Sequence, residues 1–164
     1  MTVVVDWVQA HLGFLPPQVL VVIVSMLPVI ELRGGIPLAR LLMLPLWQAI
    51  VFSAIGNILP IPFILLFIKK IFEWLSRFGP TEKIVRKLED RAAKKSDALE
   101  KGEFLGLMLF VGIPLPGTGG WTGSLIAALL DVDFKKALVA EILGILIATV
   151  IMSIVSYGLL AQLV

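Results

Sequence analysis

Two short stretches place chemically capable residues inside otherwise apolar runs. The first is Glu31, Arg33, Gly34, Gly35 and Pro37; the second is Pro114, Pro116, Gly117, Thr118, Gly119, Gly120, Trp121 and Thr122. A carboxylate and a guanidinium at membrane depth are expensive, and they default to a functional role. Arg33 offers a binding charge for an anion, while Glu31 offers a balancing charge or a proton carrier. Residue 36 is expected to open a new helix with Pro37 near its first position, where a missing N–H costs nothing. Such a helix aims its free N–H groups and the positive end of its dipole into mid-membrane. Thr118 and Thr122 are candidate N-caps for a second helix starting near Trp121, and Gly117, Gly119 and Gly120 let the main chain approach a ligand closely. Pro114 and Pro116 hold the entry to that loop extended. Two opposed helix N-termini with Arg33 make an anion site. The competing reading is a mutually neutralising Glu31–Arg33 pair that pins the turn.

Three further polar residues fall in or near the apolar segments. Glu141 is a second proton-coupling candidate, with a snorkelling or paired role equally open; Asn57 suits hydrogen bonding between helices, and Arg40 is a lip residue or an extension of the anion path. The rest of the composition excludes chemistry. There is no cysteine and a single histidine, His11, which argues against thiolate catalysis, histidine-metal sites and Ser-His hydrolysis. Gly117 to Gly120 are followed by no Gly-Lys-Ser/Thr, so no nucleotide phosphate loop is formed. The buried tips present no nucleophile with a base beside it, and we expect no enzyme, no cofactor and no metal. With a net charge of +2 there is no basic face for nucleic acid.

These residues need elements to position them, and the composition says which. Of 164 residues, 59% are hydrophobic and 16% charged, with a mean hydropathy of +1.00. Most of the charge lies between residues 69 and 103, the pattern of a polytopic membrane protein with one wet loop. Residues 1–16 read as an interfacial helix, and the absence of Lys and Arg before Arg33 reads as a mature N-terminus rather than a signal peptide. Residues 17–45 form a first re-entrant hairpin, with apolar arms 18–30 and 36–45 broken at 31–35. As helices these arms rise roughly 20 and 15 Å, against a hydrocarbon core of about 30 Å. The alternative is one broken, tilted crossing. Residues 46–72 span the membrane, interrupted by Asn57, Pro60 and Pro62; 73–103 form a cytoplasmic basic linker helix; 104–130 form a second hairpin; and 134–161 form a second span.

Both halves read as broken hairpin, polar exit and full span, with Gly34-Gly35 aligned to Gly119-Gly120 at an offset of 85 and Gly56 to Gly144 at 88. The basic linker is expected to be cytoplasmic and both termini outside. One crossing then separates the halves, and the repeats are inverted, as in transport folds that rock around a mid-membrane site. The fold class is therefore all-α integral membrane with two inverted repeats. With two spans per chain, a closed pathway predicts a homodimer.

Glu31 to Ala39 (ELRGGIPLA) and Pro114 to Gly123 (PLPGTGGWTG) resemble the two signature stretches of the small multidrug export protein family, itself similar to the DedA and VTT membrane proteins with their paired re-entrant hairpins. The resemblance covers nearly the whole chain. It implies that Glu31, Arg33 and the Pro114–Gly123 loop are the functional positions, and that lipid phosphate is a relevant substrate class. The expected function is a secondary transporter or flippase in the inner membrane for an anionic, polyprenyl-phosphate-like substrate, with proton coupling. Export of small amphipathic cations, a channel and a non-transporting scaffold are the alternatives.

Overall fold

The computed structural model describes residues 15–76 and 102–159, and every regular element among them is helical. The expected interfacial helix, with His11, and most of the basic linker lie outside the described residues. Helix α1 (Pro17–Met26) opens with Pro at its first position and is stopped by Pro28, because a residue before proline is pushed out of the helical region. Leu27 accordingly sits at φ −70°, ψ 133°. Helix α2 then starts at Glu31 and runs to Leu41.

That start corrects the expected break. Glu31 to Gly35 are helical, the turn falls at 27–30, and Pro37 lies inside α2 rather than at its first position. Packing explains why Gly34-Gly35 do not interrupt the helix. A Cβ on Gly35 would collide with Ser25 Oγ and stand 3.0 Å from Ser53 Oγ. The glycine is thus the point where α2 crosses its neighbours closely, the use membrane helices commonly make of small residues.

Helix α3 (Leu46–Ile58) and helix α4 (Ile61–Ser76) divide the expected single span. Pro60 and Pro62 remove two N–H donors, and the chain kinks while remaining helical in direction, with Leu59 at φ −55°, ψ −44°. Leu46–Ile68 is still long and apolar enough to cross a membrane. The kink transfers the chain between neighbours: α3 packs on α1 and α2, whereas α4 packs on the second half of the protein.

After the linker come helix α5 (Glu103–Gly112), the Pro114 loop, helix α6 (Gly120–Leu129) and helix α7 (Phe134–Ser153), which closes with a π-helical segment, Ile154–Leu159. Phe134–Gly158 is the second stretch able to cross. Asp133 caps α7 by accepting from the Lys136 N–H at 3.1 Å. Helix α7 packs along α5 and also touches α2, α3, α4 and α6.

The two halves make several identical local contacts. At the end of α2, the N–H of Leu44 donates to Ala39 O and that of Met43 to Arg40 O; at the end of α6, Val132 donates to Ala127 O and Asp131 to Ala128 O. Met43 and Asp131 share a left-handed backbone, at φ 58° and 57°. Each is a Schellman-type ending, and the two lie 88 residues apart. An offset of 88 pairs Gly35 with Gly123, whereas the glycine alignment drawn from the sequence pairs it with Gly120 at 85.

Side chains are distributed as a membrane interior requires. Ser25, Ser53, Asn57, Ser124, Glu141, Thr149 and Ser156 are buried, while Val29, Phe63, Leu66, Leu105, Val150 and Ile154 are exposed. Around the buried polar groups lies an apolar core that includes Leu32, Ile36, Ile61 and Ile145. This is a membrane protein, with two long apolar helical stretches among the described residues and four short helices there that cannot cross alone.

Candidate functional site: the junction of the two hairpin tips

Glu31, at the first position of α2, is only 3% exposed. Its carboxylate reaches the start of α6, where the Gly120 N–H donates to Oε2 at 3.2 Å and the Trp121 N–H to Oε1 at 3.0 Å. Both are N–H groups that a helix leaves unpaired at its first turn, and the dipole there favours a negative charge. The N-cap itself is Gly119, at φ 124°, ψ −177°. Thr118 and Thr122 therefore do not cap the helix. Thr122 stays half-buried in the first turn.

Arg33 makes the second link. Its guanidinium donates to the Leu115 carbonyl and, at 2.6 Å, to Thr118 Oγ1. Thr118 Oγ1 lies 2.9 and 2.8 Å from the Ile113 and Leu115 carbonyls, and its single proton serves one of them. A third link runs back, since Trp121 Nε1 donates to Met26 O at 3.0 Å. The two charges at the tip of the first hairpin, Glu31 and Arg33, are thus spent on the main chain or a hydroxyl of the second, and the resulting clasp joins the two tips.

The loop residues divide by what they face. Pro114 is half-buried and Pro116 exposed. Gly117, at φ 79°, has open space where a side chain would stand, whereas Gly119 lies directly against the Glu31 carboxylate. At Gly120 a Cβ would meet Ile61 Cδ1 at 3.2 Å and Asn57 Oδ1 at 3.5 Å. The expected pair of opposed N-termini is reduced to one, because α2 starts at Glu31 and that residue's own N–H donates to Leu27 O. The remaining N-terminus holds an anion supplied by the chain.

Arg40 sits over the Tyr157 ring, 5.6 Å from its centroid, and Tyr157 donates to Leu44 O at 2.9 Å, so Arg40 braces the end of α2. Asn57 is buried in α3 with Oδ1 unpartnered. Glu141 is fully buried in α7, 2.7 Å from Ser124 Oγ.

The model of the small multi-drug export protein family matches residues 31–151, about three quarters of the chain. The chain belongs to that family. The family segment begins at Glu31 itself and takes in both hairpin tips, Asn57 and Glu141. No curated protein and no solved structure matches the chain.

Sequence reasoning about this family member missed Ser124, which lies one turn into α6 and bonds both Gly120 O and Glu141. A hydroxyl in an apolar ten-residue helix was the available signal. It also missed Ser25 and Ser53, whose hydroxyls are buried and unpartnered beside Gly35.

Proposed function

We propose that this family member is a membrane carrier, not an enzyme, and that its substrate carries an anionic group of the lipid-phosphate type. The observation that carries this reading is the α6 N-terminus, whose N–H groups hold the Glu31 carboxylate at 3.0 and 3.2 Å. A cradle that binds one carboxylate is chemically suited to another anion, and the resident one is tethered to the opposite hairpin. Substrate phosphate competing for those N–H groups, with Arg33 turning to it, releases the clasp. Membrane lipids are then both surroundings and substrate source.

Two inverted repeats, each a re-entrant hairpin followed by a span, suit this motion. The matched endings of α2 and α6 and the matched packing of Gly56 on α1 and Gly144 on α5 support the repeat. Two halves of one design rock about a shared junction, and a homodimer closes the path around it. In this reading the protein lies in the inner membrane. A cysteine replacing Ser96 is expected to react only with a reagent on the cytoplasmic side, and cysteines replacing Thr2 and Gln162 only from the outside. Termini labelled from opposite faces would refute the inverted arrangement.

A second reading, export of small amphipathic cations, is favoured by the family description, and in it Glu31 receives the substrate. One experiment separates the two. In proteoliposomes, Arg33→Ala is expected to reduce movement of a fluorescent polyprenyl phosphate by about 10- to 100-fold, the value of a charge-assisted hydrogen bond of roughly 1.5–3 kcal/mol. Movement of ethidium should then be unaffected. The cation reading expects Glu31→Gln to abolish ethidium export and Arg33→Ala to spare it, with no lipid-phosphate movement in the unmodified protein.

A further inference from the structure

Behind the clasp lies a buried polar cluster that the proposed substrate site does not use. We infer that Glu141 is a proton-binding site, its carboxylic acid donating to Ser124 and linked through Gly120 to the Glu31 clasp.

Counting hydrogens leads to this assignment. Ser124 Oγ lies 2.7 Å from the Gly120 carbonyl and 2.7 Å from Glu141 Oε2. A hydroxyl has one proton, and an amide carbonyl only accepts. Both contacts are hydrogen bonds only when Glu141 supplies the second proton, in the chain Glu141 Oε2–H to Ser124 Oγ–H to Gly120 O. The other carboxyl oxygen, Oε1, is buried with no hydrogen-bond partner. An ionised carboxylate placed there costs several kcal/mol without a compensating charge; a neutral acid leaves only a weak acceptor unmet.

No neighbouring element supplies that charge among the side chains the structure describes. On α2, Glu31 acts on Glu141 as a like charge, Arg33 is engaged at Leu115 and Thr118, and Arg40 lies over Tyr157 of the π-helical segment. On α5, Glu103 is paired with Lys136 at 3.0 Å, at the outer ends of both helices. Helices α3 and α6 contain no ionisable residue, Lys70 of α4 and Lys135 of α7 are exposed, and the side chains of Lys69 and Glu73 of α4 lie outside those described.

The fold itself does not call for a carboxyl at this position. A Cβ at Gly123 would stand 3.6 Å from Glu141 Oε1 and 2.7 Å from Val111; in the first half, the same point at Gly35 meets Ser53 and Ser25. Ser53 and Glu141 are 88 residues apart, so the same packing position is filled by a serine in one half and an acid in the other.

Gly120 makes the link to the clasp, since it accepts from Ser124 through its carbonyl and donates to Glu31 through its N–H. When Glu141 gives its proton to water entering from an opened side, Ser124 turns its own proton to the new carboxylate. Two negative charges then flank the first turn of α6, and Glu31 is driven from the N–H groups. As a coupling device this rests on the carrier reading above; as a proton site it does not.

The test is infrared difference spectroscopy on the reconstituted protein without substrate. The unmodified protein is expected to show the carbonyl stretch of a protonated carboxylic acid at neutral pH. That band should vanish in Glu141→Gln and move in Ser124→Ala and in Glu31→Gln, where the hydrogen-bonded chain loses a member. Should Glu141→Gln fail to accumulate, Glu141→Asp must displace the band. No acid band, or one unchanged in the Glu141 variants, overturns the site, as does thermal stabilisation by sodium ions that Glu141→Gln abolishes. A band that Glu31→Gln leaves unmoved overturns the link. A protein that shows the band and moves neither probe refutes the carrier reading and leaves the proton site standing.

Discussion

Gly119→Ala is expected to destabilise the folded protein by roughly 4–9 kcal/mol, combining a backbone cost with the loss of two charge-assisted hydrogen bonds. Gly119 occupies φ 124°, ψ −177°, a region open essentially to glycine alone and costing about 1–3 kcal/mol for any other residue. The added methyl would also meet the Glu31 carboxyl carbon at 2.8 Å and Oε1 at 2.9 Å, with Oε2 nearer still. The carboxylate can withdraw only by giving up the N–H groups of Gly120 and Trp121. Each such bond is worth about 1.5–3 kcal/mol, and the clasp opens with them. Gly117→Ala is the control, because Gly117 is also left-handed, at φ 79°, yet nothing lies within 4 Å of the new methyl. Its cost should be the backbone's alone, about 1–2 kcal/mol. Thermal unfolding in detergent measures both, and equal losses would mean that the Glu31 contact contributes nothing to stability.

The second large effect concerns packing rather than the site. Gly144→Ala and Gly56→Ala are each expected to remove most of the folded protein from the membrane. At Gly144 a methyl would stand 2.6 Å from Met108 O and 2.8 Å from Val111 Cβ; at Gly56 it would meet Val22 O and, at 2.8 Å, Ser25 Cβ. Overpacking a core costs about 1–3 kcal/mol when side chains can shift. Here the obstacle includes main-chain carbonyls, so α7 must part from α5, or α3 from α1, along its whole contact. Close approach through small residues is what holds membrane helices together in place of a hydrophobic effect. Gly102→Ala, which meets nothing within 4 Å, should accumulate normally. Size-exclusion profiles of fluorescent fusions read all three, and a Gly144→Ala protein with an unmodified profile would show that the α5–α7 crossing is looser than these distances require.

Several features were legible because they follow from composition and local chemistry. An apolar chain with its charge gathered in one linker declares a membrane protein, and arms too short to cross declare paired half-length helices. The Pro114–Gly120 loop was readable because two prolines and three glycines deny a helix its donors and its propensity, and α6 begins at Gly120, one residue from the expected start. The Gly34-Gly35 pair misled for a reason the local sequence does not contain. Two glycines break a helix in water, but here the missing side chain of Gly35 is what admits Ser25 and Ser53. The actual stop was Pro28, acting on Leu27, a local signal that the glycines outweighed.

That Glu31 and Arg33 are charges costly to bury, and that α6 is a helix whose N-terminus suits an anion, was determined by the sequence alone, since desolvation cost and unpaired N–H groups are properties of residue type and chain direction. Which anion occupies that N-terminus was decided only by tertiary structure. The carboxylate of Glu31 comes from 89 residues away, and no pattern within either segment encodes a partner at that distance. The same holds for Glu141. Its residue type marks it as costly to bury, but only the folding of α6 onto α7 brings Ser124 within 2.7 Å and turns an isolated acid into a member of a hydrogen-bonded chain.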